Sequence, residues 1–186
     1  MGKIIAAINM TLDGFCDHTA IIPDEEIHKH YADLLSNAGT ILYGRITYQL
    51  MEYWPTVVKE PTGNKSMDEF AMTMDSIPKI VFSHSLKSVE WESARLAERS
   101  LEEEVRELRD AHGAGDKCVL VGSRSLIISL MKLNLIDEYQ LCVHPVIVGS
   151  GLPLFENIND RTALKLIKTK IMGSGAVILY YKPTQS

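Results

Sequence analysis

Two segments of this chain join an apolar, β-branched run to a helix-forming run through a glycine and no spacer. They are Thr40-Ile41-Leu42-Tyr43-Gly44-Arg45-Ile46-Thr47-Tyr48 and Val119-Leu120-Val121-Gly122-Ser123-Arg124-Ser125-Leu126. A buried strand that feeds straight into a helix presents unpaired backbone N–H groups and the positive end of a helix dipole, an arrangement suited to phosphate. Gly44 and Gly122 let a ligand approach the main chain. Thr47, Ser123 and Ser125 add hydroxyls, and Arg45 adds a planar fork of donors. Two such turns in one small protein could grip the two ends of one dinucleotide. The structural alternatives are an ordinary N-cap for Ser123 and a routine surface ion pair for Arg45.

Other residues carry chemistry with less pattern behind them. Asp13, before Gly14, is placed either to position a substrate or to close an Asx-turn. Glu25 and Glu26 follow Pro23-Asp24 and read as first-turn acids on a helix dipole, with His28 next along that helix. Asp13, Glu25, Glu26 and His28 are the candidates for acid–base work. His28, His30, His84 and His144 do not share metal-ligand spacing on one element, and Cys16, Cys118 and Cys142 form no CxxC pair, so no metal is expected. Cys118 and Cys142 lie in apolar runs and read as core; Cys16 sits in a loop and reads as accessible. Trp54 either lines a cleft against a planar substrate or anchors its loop.

The elements that must position these residues alternate between strand and helix. Lys3 to Ile8 reads as a strand rather than a leader peptide, followed by a loop over Asn9 to Ile22. A helix begins at Pro23, with Ile27, Tyr31, Leu34 and Leu35 as its apolar stripe. After the first glycine junction, Glu52 to Lys65, with Pro55, Pro61 and Gly63, reads as a long loop. Lys79 to Phe82 is a strand ending at Ser83-His84-Ser85. Ser100 to Glu103 is a capping box whose helix buries Leu101, Val105 and Leu108. Lys117 to Val121 leads into the second junction. Asp137 to Val148 reads as a long strand edged at Pro145, and Leu164 to Ile171 with Val177 to Tyr181 as a terminal hairpin turning at Gly173-Ser174-Gly175. The pattern is an α/β sandwich with a mostly parallel sheet and an antiparallel C-terminal hairpin.

The chain's 186 residues, 46% apolar and 23% charged, fit one globular domain over 1–186. A net charge of −5 argues against nucleic-acid and anionic-membrane partners but leaves room for a local basic pocket. The unpaired cysteines fit a reducing cytoplasm. The partner expected is a small-molecule substrate, with a homodimer through the apolar Pro145 to Phe155 segment.

Blocks in order along nearly the whole chain carry a resemblance. They are Ile5-Ala6-Ala7 with Thr11-Leu12-Asp13-Gly14; Tyr43 to Tyr48; Val81-Phe82-Ser83; Val121-Gly122-Ser123; and Asp137-Glu138 through Pro145-Val146-Ile147-Val148-Gly149-Ser150-Gly151-Leu152-Pro153-Leu154-Phe155. Together they resemble the dihydrofolate reductase fold, and more closely the reductase half of the riboflavin-biosynthesis deaminase-reductase and its small stand-alone relatives. The resemblance implies a three-layer sandwich and NADPH as cofactor. It implies that Ala7 meets the nicotinamide carboxamide, and that Gly44, Arg45 and Thr47 hold the pyrophosphate and phosphorylated ribose side. Ser83 and His84 would lie near the 2′-phosphate, and Gly122, Ser123, Arg124, Ser125 and Leu126 would wrap the pyrophosphate and adjoining ribose.

The chain also departs from that pattern. Dihydrofolate reductases carry a pterin-binding carboxylate on the first helix and a tryptophan just before its proline. Here Ile21-Ile22 precede Pro23, and counting from Gly44-Arg45 puts His28 near the acid's register. Glu25 or Glu26 would reach it only after a shift of the helix, so poor dihydrofolate reduction is expected. Ser123 stands where the family has a second glycine, and no deaminase zinc signature is present. The expected activity is NADPH-dependent hydride transfer to a small heterocyclic or carbonyl substrate. The alternatives are the riboflavin-pathway 5-amino-6-(5-phosphoribosylamino)uracil reductase, against which the absence of Lys and Arg from Phe15 to Ile22 counts, and a non-catalytic nucleotide-binding protein.

Overall fold

The computed structural model describes residues 2–21, 23–111 and 117–184; Ile22, the last residue of the loop before Pro23, lies outside them. In chain order the elements are β1 (Ile4–Thr11), α1 (Glu25–Ser36), β2 (Ala38–Gly44), α2 (Arg45–Met51), α3 (Trp54–Lys59), α4 (Lys65–Ser76), β3 (Lys79–Phe82), β4 (Ala94–Leu96), α5 (Leu101–Ala111), β5 (Cys118–Val121), α6 (Arg124–Lys132), β6 (Glu138–His144), β7 (Leu164–Ile171) and β8 (Val177–Pro183). The strands form one sheet in the order β4-β3-β2-β5-β1-β6-β8-β7. Strands β4 to β6 in that order run parallel, and β8 runs antiparallel to both β6 and β7.

The central strands are apolar on both sides because both faces are covered. Ile4 and Ala6 of β1, Leu42 of β2, Ile80 of β3 and Val119 and Val121 of β5 pack with Val105 of α5 and Ile127 and Leu130 of α6. Their alternates Ile5, Ile41, Tyr43, Val81 and Leu120 pack on the opposite face with Leu35 of α1, Tyr48 of α2 and Phe70 and Met74 of α4. The period of two along each strand therefore builds the three layers. A smaller cluster under α1 joins Ile27 to Cys142, Ile178 and Tyr180.

Four expectations need correction. The loop read over Asn9 to Ile22 starts only after Thr11, because Asn9, Met10 and Thr11 stay paired with Cys142, Val143 and His144 of β6. The segment from Glu52 to Lys65 is not one loop: Trp54–Lys59 is helical, with Pro55 in its first turn, where a missing N–H is no loss. The helix α4 follows, capped by the Asn64 side chain, which accepts from the Met67 N–H at 3.2 Å. The strand read over Asp137 to Val148 spans only Glu138–His144. Past Pro145, which has no N–H to donate, the chain is held instead by Leu12, Cys16 and Gly14 through Leu12 N–H to Val146 carbonyl, Cys16 N–H to Leu152 carbonyl and Leu154 N–H to Gly14 carbonyl. Cys16 is half-buried rather than open, and burial pushes its thiol up to about 11.

Candidate functional site

The chain runs from β1 out to β2, β3 and β4, then returns to place β5 between β1 and β2. The carboxyl ends beside that return are where open α/β sheets bind ligands. Here β2 and β5 are neighbours in register, with Leu42 opposite Val121, so the two glycine junctions emerge side by side. A cleft of about 830 Å³ lies across the ends of the strands β2 to β5, within the range typical of small-molecule sites.

Four chain segments line that cleft. They are Gly44 to Thr47 at the start of α2, Phe82 to Ser85 after β3, Ala97 to Leu101 leading into α5, and Ser125, Leu126 and Ser129 of α6. Of the residues singled out for a cofactor, Gly44, Arg45, Thr47, Ser83, His84, Ser125 and Leu126 meet here. The helix ends differ in how their amides are used. Helix α5 is self-satisfied: Ser100 and Glu103 form a reciprocal capping box, with the Ser100 N–H donating to Glu103 Oε2 at 3.0 Å. Neither α2, capped by Gly44, nor α6, capped by Ser123, has a side-chain capping bond. Their first-turn N–H groups are the orphans an anion could use.

Two guanidinium groups edge the cleft. Arg45 is exposed and, among the described residues, bonds only to Gln49 Oε1 at 3.3 Å, and Arg99 is paired with Glu107. Among the lining residues Glu98 is the one carboxylate, and His84 is exposed. The Ser83 hydroxyl shapes the turn after β3, accepting from the Leu86 N–H at 3.0 Å. Sequence reasoning missed Arg99 and Ser100, although the capping box itself was readable there.

The remaining cofactor candidates lie behind or beside the cleft. Strand β1 pairs with β5 only as far as Ala6 opposite Val121 but follows β6 to Thr11, so from Ala7 onward its β5 side has no strand partner. Gly122 faces that gap: a methyl there would sit 3.7 Å from the Ala7 carbonyl oxygen and 3.7 Å from Tyr43 Cε1. Ser123 is buried, and its Oγ accepts from the Gly44 N–H at 2.7 Å. Arg124 does not line the cleft; its guanidinium is committed to the Pro153 carbonyl and to Glu156.

The acid–base candidates are not brought together. Asp13 neither closes a simple Asx-turn nor faces the cleft. It accepts from the Thr11 hydroxyl at 2.6 Å and from the Gly149 N–H at 2.7 Å, and these bonds, the hydroxyl's first, hold its carboxyl below the usual range. Glu25 is exposed on the first turn of α1, and Glu26 accepts from the Gly173 N–H at 2.6 Å, anchoring the turn between β7 and β8. His28 is half-buried against Trp54 and Phe70, and burial lowers its pKa. Trp54 packs on Phe70 with ring centroids 4.5 Å apart, so it anchors α3 to α4. One polar pair was not anticipated: Asn9, two residues beyond Ala7 on the same face of β1, has its Oδ1 2.9 Å from Nε2 of the buried His144.

The family model of the RibD C-terminal domain matches residues 2–178. The "Uncharacterized protein YyaP" of Bacillus subtilis (strain 168) is 32% identical over 186 residues, covering 96% of this chain and 94% of that protein. Among solved structures, a protein of Shewanella sp. PV-4 named for riboflavin biosynthesis has a TM-score of 0.73 at 18% identity, covering 98% of this chain and 99% of that one. Dihydrofolate reductase from Enterococcus faecalis, complexed with NADP(H), has a TM-score of 0.64 at 13% identity, covering 99% and 98%. These structural likenesses establish the fold.

Proposed function

The chain belongs to the RibD C-terminal domain family, a family of reductase domains, and on that footing we propose that it is an NADPH-dependent reductase transferring hydride to a small heterocyclic or carbonyl substrate. The observation that carries the reading is the pairing of two uncapped helix starts, α2 and α6, on one cleft edged by Arg45 and Arg99. The donor set suits a phosphorylated dinucleotide: main-chain N–H groups, the hydroxyls of Thr47 and Ser125, and two guanidinium groups. A Cβ on Gly44 would press to 3.3 Å from Ser125 Oγ, so the glycine is what lets the two junctions pack side by side.

NADPH supplies the hydride when bound, and the protein supplies binding and orientation. The first turns of α2 and α6 hold the pyrophosphate. Arg45, with Ser83, His84 and Arg99 around it, faces the 2′-phosphate. Ala7, on the unpaired side of β1, offers main-chain groups to the carboxamide beside Gly122. The first-turn carboxylates of α1 take no part in this arrangement, since Glu26 is spent on Gly173 and Glu25 is exposed. That disfavours dihydrofolate as the substrate.

A riboflavin-pathway reductase acting on a phosphoribosylamino-pyrimidine is the second reading, and the family model favours it. The lack of Lys and Arg between Phe15 and Ile22 counts against it. Isothermal titration with NADPH, followed by stopped-flow oxidation of NADPH against 5-amino-6-(5-phosphoribosylamino)uracil and against simple carbonyl and imine compounds, separates the readings. Binding with turnover of any of these supports a reductase. Binding without turnover of any supports a nucleotide-binding protein, and no binding overturns the cofactor assignment.

A further inference from the structure

Strand β2 runs two residues past its last pairing with β5, Leu42 opposite Val121, and on that side Gly44 has no strand partner. The Ser123 hydroxyl fills the gap, accepting from the Gly44 N–H at 2.7 Å. Ser123 is 1% exposed and stands at the N-cap of α6, its carbonyl accepting from the Ile127 N–H at 2.9 Å. A serine there ordinarily turns its hydroxyl onto an N–H of its own helix. This one turns away to the neighbouring junction, and α6 keeps its first-turn N–H groups uncapped.

We infer that Ser123 is a positioning residue that fastens the two glycine junctions into one rigid cradle and leaves the start of α6 free for the cofactor pyrophosphate; the inference rests on the cofactor reading above. Ser125 works with it from the next position but one, its Oγ lying 3.3 Å from where a Cβ on Gly44 would stand. The hydroxyl that replaces a glycine in this chain thus does more than fill space. Without it the buried Gly44 N–H loses its partner, which a protein avoids by shifting the turn. The pyrophosphate, gripped from both junctions, would then meet two halves that no longer hold a fixed separation. An adenosine 2′-phosphate group, gripped also from Ser83, His84 and Arg99, which stand on other segments of the cleft, would sense the change far less.

The test is Ser123→Ala, read with two ligands and one amide. Calorimetric titration is expected to show NADPH weakened about tenfold or more, with adenosine 2′-monophosphate, which lacks the pyrophosphate, unchanged within about twofold. Hydrogen exchange of the Gly44 amide in the ligand-free variant is expected to speed up about tenfold or more. Unchanged NADPH affinity, a parallel loss for both ligands, or an unchanged Gly44 amide would each overturn the inference. In the wild-type protein, NADPH should move the Ser125 and Leu126 amide resonances strongly and Gly44's little, since that N–H is already engaged. If the variant does not fold, this wild-type comparison decides alone, a strongly shifted Gly44 amide counting against the clamp. A folded wild-type protein that binds no NADPH fails the cofactor reading itself, and the clamp's role with it.

Discussion

Arg45 and Gly122 make opposite contributions to the same cleft, one by its charge and the other by having no side chain. Arg45 is exposed, with a single weak partner in Gln49, whereas Arg99 is drawn toward Glu107. Arg45 is therefore the cation freer to meet an added phosphate. Arg45→Ala should weaken NADPH by roughly 1.5–3 kcal/mol, the worth of a hydrogen bond to a charged group, and should weaken NADH far less. Titrating both cofactors against both proteins checks this, and equal losses would place Arg45 away from the 2′-phosphate. Gly122 has no positive φ to protect, and the contacts its methyl would make are ordinary at 3.7 Å. Gly122→Ala should accordingly fold and melt cooperatively. Its NADPH affinity should still fall by more than tenfold, about 1.4 kcal/mol, because the methyl would enter the gap beside Ala7 that the proposed binding mode gives to the cofactor. A full-affinity variant, with its fold verified by circular dichroism, would show that this junction only links strand to helix.

Among the elements, α1 is expected to have a seating that depends on pH. His30 on α1 is buried against Tyr31 and Tyr180, and burial first, then the nearby Lys170 and Lys168, against the opposing pull of Asp33, lower its pKa to about 4. His28 and His144 move the same way through burial. The unfolded chain therefore binds more protons than the folded one between about 4 and the ordinary histidine value near 6.5. Stability is fully present above that ordinary value and falls as pH drops toward 4, by roughly 2–3 kcal/mol for His30 alone. Urea melts across this range should show the slope, and His30→Gln should flatten it; an unchanged slope would mean another group titrates.

The elements also divide into those the sequence reveals and those it hides. Strands β1, β2, β3 and β5 and helices α1, α5 and α6 were legible because apolar periodicity and caps lie within each segment, as with Asp24 capping α1 through Ile27. Strand β4 was not, because Ala-Arg-Leu is too short to carry a period, and Arg99 just beyond it was hidden for that reason. Helix α4 shows its signal only weakly, in the Asn64 cap and the helical spacing of Phe70, Ala71 and Met74. The site was half legible: each glycine junction announces itself locally. That β5 returns between β1 and β2, bringing Ser123 onto Gly44, is a pairing of residues 79 apart that no local pattern encodes.

At the scale of the whole molecule, two of the exposed surfaces among the described residues differ in what they invite. Strand β7 is an edge strand, exposed along all but its first residue, yet Lys165, Lys168 and Lys170 stud it. In an antiparallel self-pairing centred on the strand, Lys165 would face Lys170, and like charges directly opposite are unfavourable. Lysine on an edge is the usual guard against such joining. The other surface is built on the loops after β1 and β6, which are zipped together by main-chain hydrogen bonds and by Asp13 on Gly149. It carries Leu12, Ile147, Leu152 and Phe155, with Ile147 70% and Leu12 61% exposed. Large apolar side chains gathered on a held scaffold mark contact surfaces rather than ordinary solvent-facing loops. The protein is therefore expected to form a dimer at micromolar concentration through this face. Sedimentation velocity should find the dimer in the wild type and a monomer in Ile147→Asp. The monomer should keep its NADPH affinity, because none of these four side chains lines the cleft. A wild type that sediments as a monomer throughout, or an Ile147→Asp protein that stays dimeric, would remove this face from the assembly.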